Sequence, residues 1–171
     1  MRVIAGEFRS RRLRSIPGLD TRPTPDRLRE TLFDILAPRI ENAVFLDAYA
    51  GSGSVGIEAL SRGAARAIFI EKSRAAVAAI RENLRNLGIE ERAEVVSGKV
   101  LPALPRFEPD IAFLDPPYEA AGEYDAALRL LRATLVVVQH PTRLKLRESY
   151  GPLRRVRMVK QGDNALSFFE I

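Results

Sequence analysis

The stretch from Val44 to Gly56, Val-Phe-Leu-Asp-Ala-Tyr-Ala-Gly-Ser-Gly-Ser-Val-Gly, narrows the choice of fold more than any other part of this chain. Ala43 to Leu46 is a short apolar run bounded by turn formers, the pattern of a strand buried on both faces. Ser54 to Leu60 then continues with helical spacing. Gly51, Gly53 and Gly56 fill the turn between them as G-x-G-x-x-G, and their missing side chains let the backbone approach a ligand closely. A second apolar run, Ala67 to Ile70, ends in Glu71, about 20 residues past the glycines, where an acid can hydrogen-bond ribose hydroxyls in dinucleotide-type folds.

Strand and helix alternate from there on. Ser73 caps a helix that carries Val77, Ile80, Leu84 and Leu87 and ends at Gly88. Strands follow at Glu94 to Val96, Ile111 to Leu114 and Leu135 to Val138, with Leu128 to Leu131 in a helix before the last. This alternation predicts a doubly wound sheet with helices on both faces and a ligand crevice at the carboxyl ends of the strands. Upstream, Arg2 to Ile4 and Phe8 to Leu13 around Ala5-Gly6-Glu7 read as a small arginine-studded hairpin, too poor in apolar residues to stand alone. Arg22-Pro23-Thr24-Pro25 reads as an extended connection, with Thr24 as N-cap and Pro25 opening a helix that buries Leu28, Leu32, Ile35 and Leu36 and is limited by Pro38. The expected division is a basic extension over residues 1–20 and a single domain over residues 21–171.

No apolar run approaches the roughly 20 residues that span a bilayer, and no apolar leader opens the chain, so a cytoplasmic protein is expected. With no cysteine and a single histidine, His140, disulfides, thiolate zinc sites and a cysteine–histidine pair are excluded, and no metal is expected. His140 reads as a structural histidine. The charge is lopsided. Residues 1–39 hold nine arginines against five acids and residues 141–171 seven cations against three, whereas the middle holds eleven against fourteen. Arg2, Arg9, Arg11, Arg12 and Arg14 are the densest cluster, and Arg22, Arg27 and Arg29 flank the first helix start. Arginine suits phosphate forks and base stacking, which makes RNA the expected partner. No long apolar face is left over, so a monomer is expected.

Asp47, at the end of the first strand, argues against a cofactor with a pyrophosphate, because a carboxylate beside the glycine loop would repel it. It suits a cationic one such as S-adenosylmethionine. The second chemical element is Asp115-Pro116-Pro117-Tyr118. Two prolines fix the backbone and remove donors, leaving carbonyls to accept; Asp115 adds a carboxylate and Tyr118 an aromatic plane. The complement of such a site is an exocyclic amine on a planar base.

Asp-x-x-x-Gly-x-Gly followed by Asp-Pro-Pro-Tyr resembles the amino-group methyltransferases. More narrowly, Arg22-Pro23-Thr24 with Arg27, Arg29 and Phe33, then Ala50 to Ala64, then Asp115 to Tyr118, then Gly162 to Phe169 resemble the RsmD family, over nearly the whole chain. The resemblance implies an S-adenosylmethionine-dependent enzyme that methylates the N2 amine of a guanine, position 966, in 16S ribosomal RNA, free or in an assembling small subunit. It implies a Rossmann-like class I methyltransferase fold with a seven-stranded, mostly parallel sheet ending in an antiparallel hairpin, Leu153 to Lys160 and Ala165 to Phe169. It further implies that Asp47, Tyr49, Ala50, Gly51, Ser52, Gly53 and Gly56 hold the methionine part of the cofactor. Glu71 and Lys72 would lie at its ribose and Asp115 to Tyr118 at the target base. Where the family offers an acid near the adenine, this chain reads Ser97-Gly98-Lys99, which moves that role to the backbone around Ser97 and Gly98. The competing readings are an adenine-N6 or cytosine-N4 DNA methyltransferase, for which the chain lacks a DNA-reading domain, and a non-catalytic RNA-binding assembly factor. A nicotinamide-dependent oxidoreductase is disfavoured by Asp47.

Overall fold

The computed structural model describes residues 1–17, 24–117 and 121–171. One sheet organises them. Five parallel strands, β1 (Val44–Ala48), β2 (Arg66–Glu71), β3 (Ala93–Ser97), β4 (Ile111–Leu114) and β5 (Leu135–Pro141), are followed by β6 (Ser149–Tyr150), β7 (Leu153–Gln161) and β8 (Asn164–Glu170), which run antiparallel to their neighbours. The spatial order is β3-β2-β1-β4-β5-β8-β7-β6. The seven expected strands are thus present and an eighth is added. β6 is two residues long and pairs only with Leu153 and Arg154, too short to leave a periodic signal in the sequence.

The helices are α1 (Asp26–Ile40), α2 (Ser54–Ser61), α3 (Arg74–Leu87), the four-residue α4 (Val100–Ala103) and α5 (Ala121–Leu130). Because successive strand residues point to opposite faces, Phe45, Phe113 and Phe168 meet Leu32, Val55 and Ile80 of α1, α2 and α3 in one core. Leu46, Leu114 and Phe169 meet Val100 and Leu128 of α4 and α5 in the other. Strands β1, β4 and β5 are buried nearly throughout, which is why they read as continuous apolar runs. No helix among the described residues is long and apolar enough to cross a membrane.

The start of α1 corrects one expectation. Pro25 occupies the N-cap position and no side chain caps the helix; the Thr24 hydroxyl instead donates to the Gln139 amide oxygen at 3.1 Å, tying α1 to the carboxyl end of β5. The helix also passes Pro38, which in the last turn removes a single N–H, and buries Ile40 beyond it.

The N-terminal hairpin is small and docked. Arg2 bridges Arg12, and Val3 and Leu13 donate to the carbonyls of Arg11 and Met1. Val3 and Leu13 are buried against the domain. The fully buried Glu58 of α2 accepts from the N–H groups of Ile4 (2.9 Å) and Ala5 (3.0 Å) and from Arg62 Nε (2.8 Å). Ser61 adds three bonds to Ala5, Glu7 and Phe8. Backbone contact here is so close that a Cβ on Gly6 would stand 2.0 Å from the Ser61 carbonyl oxygen.

Candidate functional site

Parallel register brings the expected residues to one end of the sheet. Ala48 pairs with Ile70 and Leu114, and Glu71 pairs with Ser97, so Asp47, Tyr49, Glu71, Ser97 and Asp115 stand at the carboxyl ends of four adjacent strands. Asp47 is 2% exposed, and its Oδ2 accepts from Gly56 N at 2.9 Å, at the start of α2. Burial pushes its carboxyl well above the ordinary range; the Gly56 bond opposes that, and the nearby Asp115 and Glu71 charges add to it.

Glu71 is pinned by backbone donors on both oxygens, Gly51 N to Oε1 at 2.9 Å and Ser73 N to Oε2 at 2.7 Å. It therefore holds the glycine turn in place while each oxygen keeps a further lone pair. Gly98 N donates to the Glu71 carbonyl at 2.9 Å, which carries the β3 end into the same rim. Ser97 and Lys72 are exposed there, and Ala50, Gly51 and Ser52 are half-buried.

The three glycines do different work. Gly51 and Gly53 both have left-handed backbone, φ 59° and 86°, and Gly53 opens α2. Gly56 has an ordinary helical backbone, but a Cβ on it would stand 2.4 Å from Cε1 of Phe69 on β2. Its absent side chain thus lets α2 lie close on the sheet rather than admitting a ligand. Gly56→Ala is expected to cost about 2 kcal/mol by overpacking, a fall of roughly 4–8 °C in melting temperature. Thermal denaturation checks this, and an unchanged midpoint would contradict it.

Three side chains not foreseen from the sequence complete the site. Asn83 of α3 donates to the carbonyls of Ser52 (3.2 Å) and Arg14 (3.1 Å) and accepts from Arg14 N (2.7 Å), joining the glycine turn to the N-terminal hairpin. Tyr49, held at φ 63°, donates to Glu123 of α5 at 2.5 Å, and burial with that contact pushes its hydroxyl well above the usual range. Tyr124, fully buried on the same helix, reaches the Pro116 carbonyl at 3.4 Å. Asp115 follows directly on β4, and burial raises its carboxyl to about 7. Pro116 is buried and Pro117 exposed. Tyr118 and Arg22 lie outside the described residues.

The basic cluster divides. Arg14 pairs with Glu82, and Arg11 donates to the Asn86 carbonyl at 3.0 Å. Arg2, Arg9 and Arg12 on the hairpin, and Arg27 on α1, are exposed with no acidic partner among the described residues. His140 sits inside, its ring nitrogens 2.9 Å from the Pro141 carbonyl and 2.8 Å from Ser167 Oγ, and burial lowers its pKa.

A family model described as "Conserved hypothetical protein 95" matches residues 1–170. The candidate rRNA methyltransferase YlbH of Bacillus subtilis is 32% identical, covering 99% of this chain and 98% of its own. Ribosomal RNA small subunit methyltransferase D of Escherichia coli K12 is 45% identical over 77% of this chain and 66% of its own. Among solved structures, the candidate methyltransferase yhhF of Escherichia coli superposes with a TM-score of 0.88 at 35% identity, over 99% of this chain and 97% of that one.

Proposed function

Since the chain belongs to the RsmD family of rRNA methyltransferases, we propose that it transfers a methyl group from S-adenosylmethionine to the exocyclic N2 amine of a guanine in 16S ribosomal RNA, at the crevice between Asp47 and Asp115. One observation supports the chemistry above the rest. The described strand ends bring the carboxylates of Asp47 and Glu71 to the glycine turn, where both accept backbone N–H bonds, with Asp115 on the next strand. That donor set fits a ligand with an ammonium group, a sulfonium and ribose hydroxyls, and Asp47, Glu71 and the backbone at Gly51 to Gly53 and Gly98 are the groups to hold it. When bound, the cofactor supplies an electrophilic methyl group.

The residues at β4 do the rest. A guanine amine is a poor nucleophile because its lone pair is delocalised into the ring, so its two hydrogens must be held and its nitrogen aimed. Asp115 and the Pro116 carbonyl accept those hydrogens, the two prolines hold their acceptors in place, and Tyr118 stacks on the base. Held geometry of this kind supplies several kcal/mol, about 7 or more in favourable cases. After transfer the nitrogen sheds a proton, and a carboxylate poised near 7 can take it. The exposed arginines Arg2, Arg9, Arg12 and Arg27, with Arg22, meet RNA phosphates, and the enzyme works in the cytoplasm as a monomer.

Glu71→Ala removes both the anchor of the glycine turn and the ribose acceptor. Isothermal titration should show cofactor affinity falling about 10- to 100-fold, with the melting temperature of the cofactor-free protein lowered far less; unaltered affinity would remove Glu71 from the site. The reaction itself is tested by labelled methyl transfer to 16S rRNA, small subunits at early and late assembly, and duplex DNA, with digestion to nucleosides. N2-methylguanosine from an RNA substrate is the expected product. Label confined to DNA, or on another atom of an RNA base, overturns the assignment.

A further inference from the structure

We propose that the groove between α1 and β7 is a second docking surface for the RNA substrate, a phosphate track that leaves the crevice along α1 on the flank opposite the N-terminal hairpin; the proposal rests on the rRNA reading above. Arg27, Thr31, Ile35 and Arg39 form one i, i+4 row on α1, about 18 Å long at 1.5 Å per residue. That row faces β7. Gln161 Nε2 donates to Thr31 Oγ1 at 2.6 Å near the upper end. Lower down, a cavity of about 250 Å³ opens between the two elements, lined by Ile35, Leu36, Val156 and Phe168 together with Arg157 and the Arg39–Glu170 pair.

The register decides which cations belong to the groove. Arg157 stands opposite Phe168 and Val159 opposite Leu166, whose side chains join the α1 core, so Arg157 points to the α1 side. Arg154, beyond the bulge between Arg155 and Arg157, is opposite Glu170, but the Glu170 carboxylate is engaged by Arg39. Arg154 and Arg157 are exposed and, like Arg27 at the top of the row, have no ion-pair partner among the described residues. Lys160, opposite Ala165, projects from the other face.

The upper end adjoins the crevice, because Thr24, two residues before α1, bonds to Gln139 at the carboxyl end of β5. Cations on an edge strand also discourage pairing with another strand. Charge alone would serve that purpose, yet the groove also displays Val156, a large apolar residue left 57% exposed beside Arg157. An apolar patch beside Arg154 and Arg157, with Arg27 at the upper end, matches an RNA strand, with phosphates on the arginines and a base or sugar face on the patch.

The test is the R154Q/R157Q double variant beside K160Q, titrated with 16S rRNA from low to physiological salt, with steady-state kinetics and sedimentation. For the double variant the slope of log affinity against log salt should shrink by about 1.4–1.8, on the basis of 0.7–0.9 per phosphate contact. Its KM for RNA should rise about tenfold or more, with kcat and cofactor affinity within about twofold of wild type. K160Q should change the slope by less than half as much. An unchanged slope and KM in the double variant, or an equal loss in K160Q, overturns the groove while leaving the enzymatic reading intact. A dimer in the wild type that the double variant abolishes, with RNA affinity unchanged, reassigns the surface to a second copy of the chain. A wild type that neither binds nor methylates rRNA refutes both readings.

Discussion

Replacing Asp115 with asparagine is expected to lower kcat about a thousandfold, roughly 4 kcal/mol of barrier, while cofactor affinity stays within about threefold. The amide cannot take the proton that the methylated amine sheds, and its NH2 group presents donors where the base also presents donors. In the wild type, burial holds this carboxyl near 7, so kcat/KM should rise with pH through about 7 and level off above it as the carboxylate form fills. The same shift has a consequence for stability. A carboxyl whose folded pKa lies above its unfolded value of 3.8 binds more protons folded than unfolded, so its contribution to stability falls as pH rises between those values. Above pH 7 the asparagine variant should therefore be more stable than the wild type, by about 1–3 kcal/mol once the partial solvent access of the side chain is allowed for. Methyl-transfer rates and melting curves at pH 6 and 8 check both halves. A variant that keeps a tenth of the wild-type rate would remove Asp115 from the chemistry.

Loss of Glu58 should have the largest effect on stability. Its carboxylate is fully buried and serves Ile4 N, Ala5 N and Arg62 Nε together. Glu58→Ala leaves two backbone donors and a mostly buried guanidinium without their acceptor, a defect of about 3–5 kcal/mol. A melting temperature lower by about 10 °C or more is expected for a chain of this length, with residues 1–17 newly open to protease. Glu58→Gln keeps the shape and one acceptor and should lose less. If the alanine variant melts within 2 °C of the wild type, the hairpin is not held by this carboxylate.

The parts of the fold legible in the sequence are those whose physical cause is local. Ile111 to Leu114 is apolar at every position because both faces are covered, and Ser73 and Gly88 bracket α3 through their own backbone and side-chain bonds. The apolar runs alone put Asp47, Glu71 and Asp115 at strand ends, and the parallel register sets those ends side by side. The contacts that leave no local signal depend on neighbours distant in the chain. Glu58 reads as an ordinary solvent-facing residue until the hairpin is laid across α2, 53 and 54 residues away. Thr24 has the composition of a cap, but the Gln139 amide 115 residues on takes its hydroxyl. The pairing of Tyr49 with Glu123 likewise needs β1 and β4 side by side, and Gly56 looks like a ligand contact until Phe69 is placed beneath it.

The placement of β8 bears on how the protein is made. Synthesis delivers β1 to β5 and then β7, yet β7 lies next to neither β5 nor any other of these; β8 separates them and bonds to both along its length. Until residues 164–170 have left the ribosome, the Leu135–Pro141 edge stays open and the cationic strand has no partner except two residues of β6. Five of the seven residues in β8 are buried once it arrives. A nascent chain stalled before Asn164 therefore displays an unpaired apolar strand, the kind of surface that chaperones bind and that aggregates recruit. Completion of the sheet therefore waits on β8 rather than proceeding as a gradual accretion of strands in chain order.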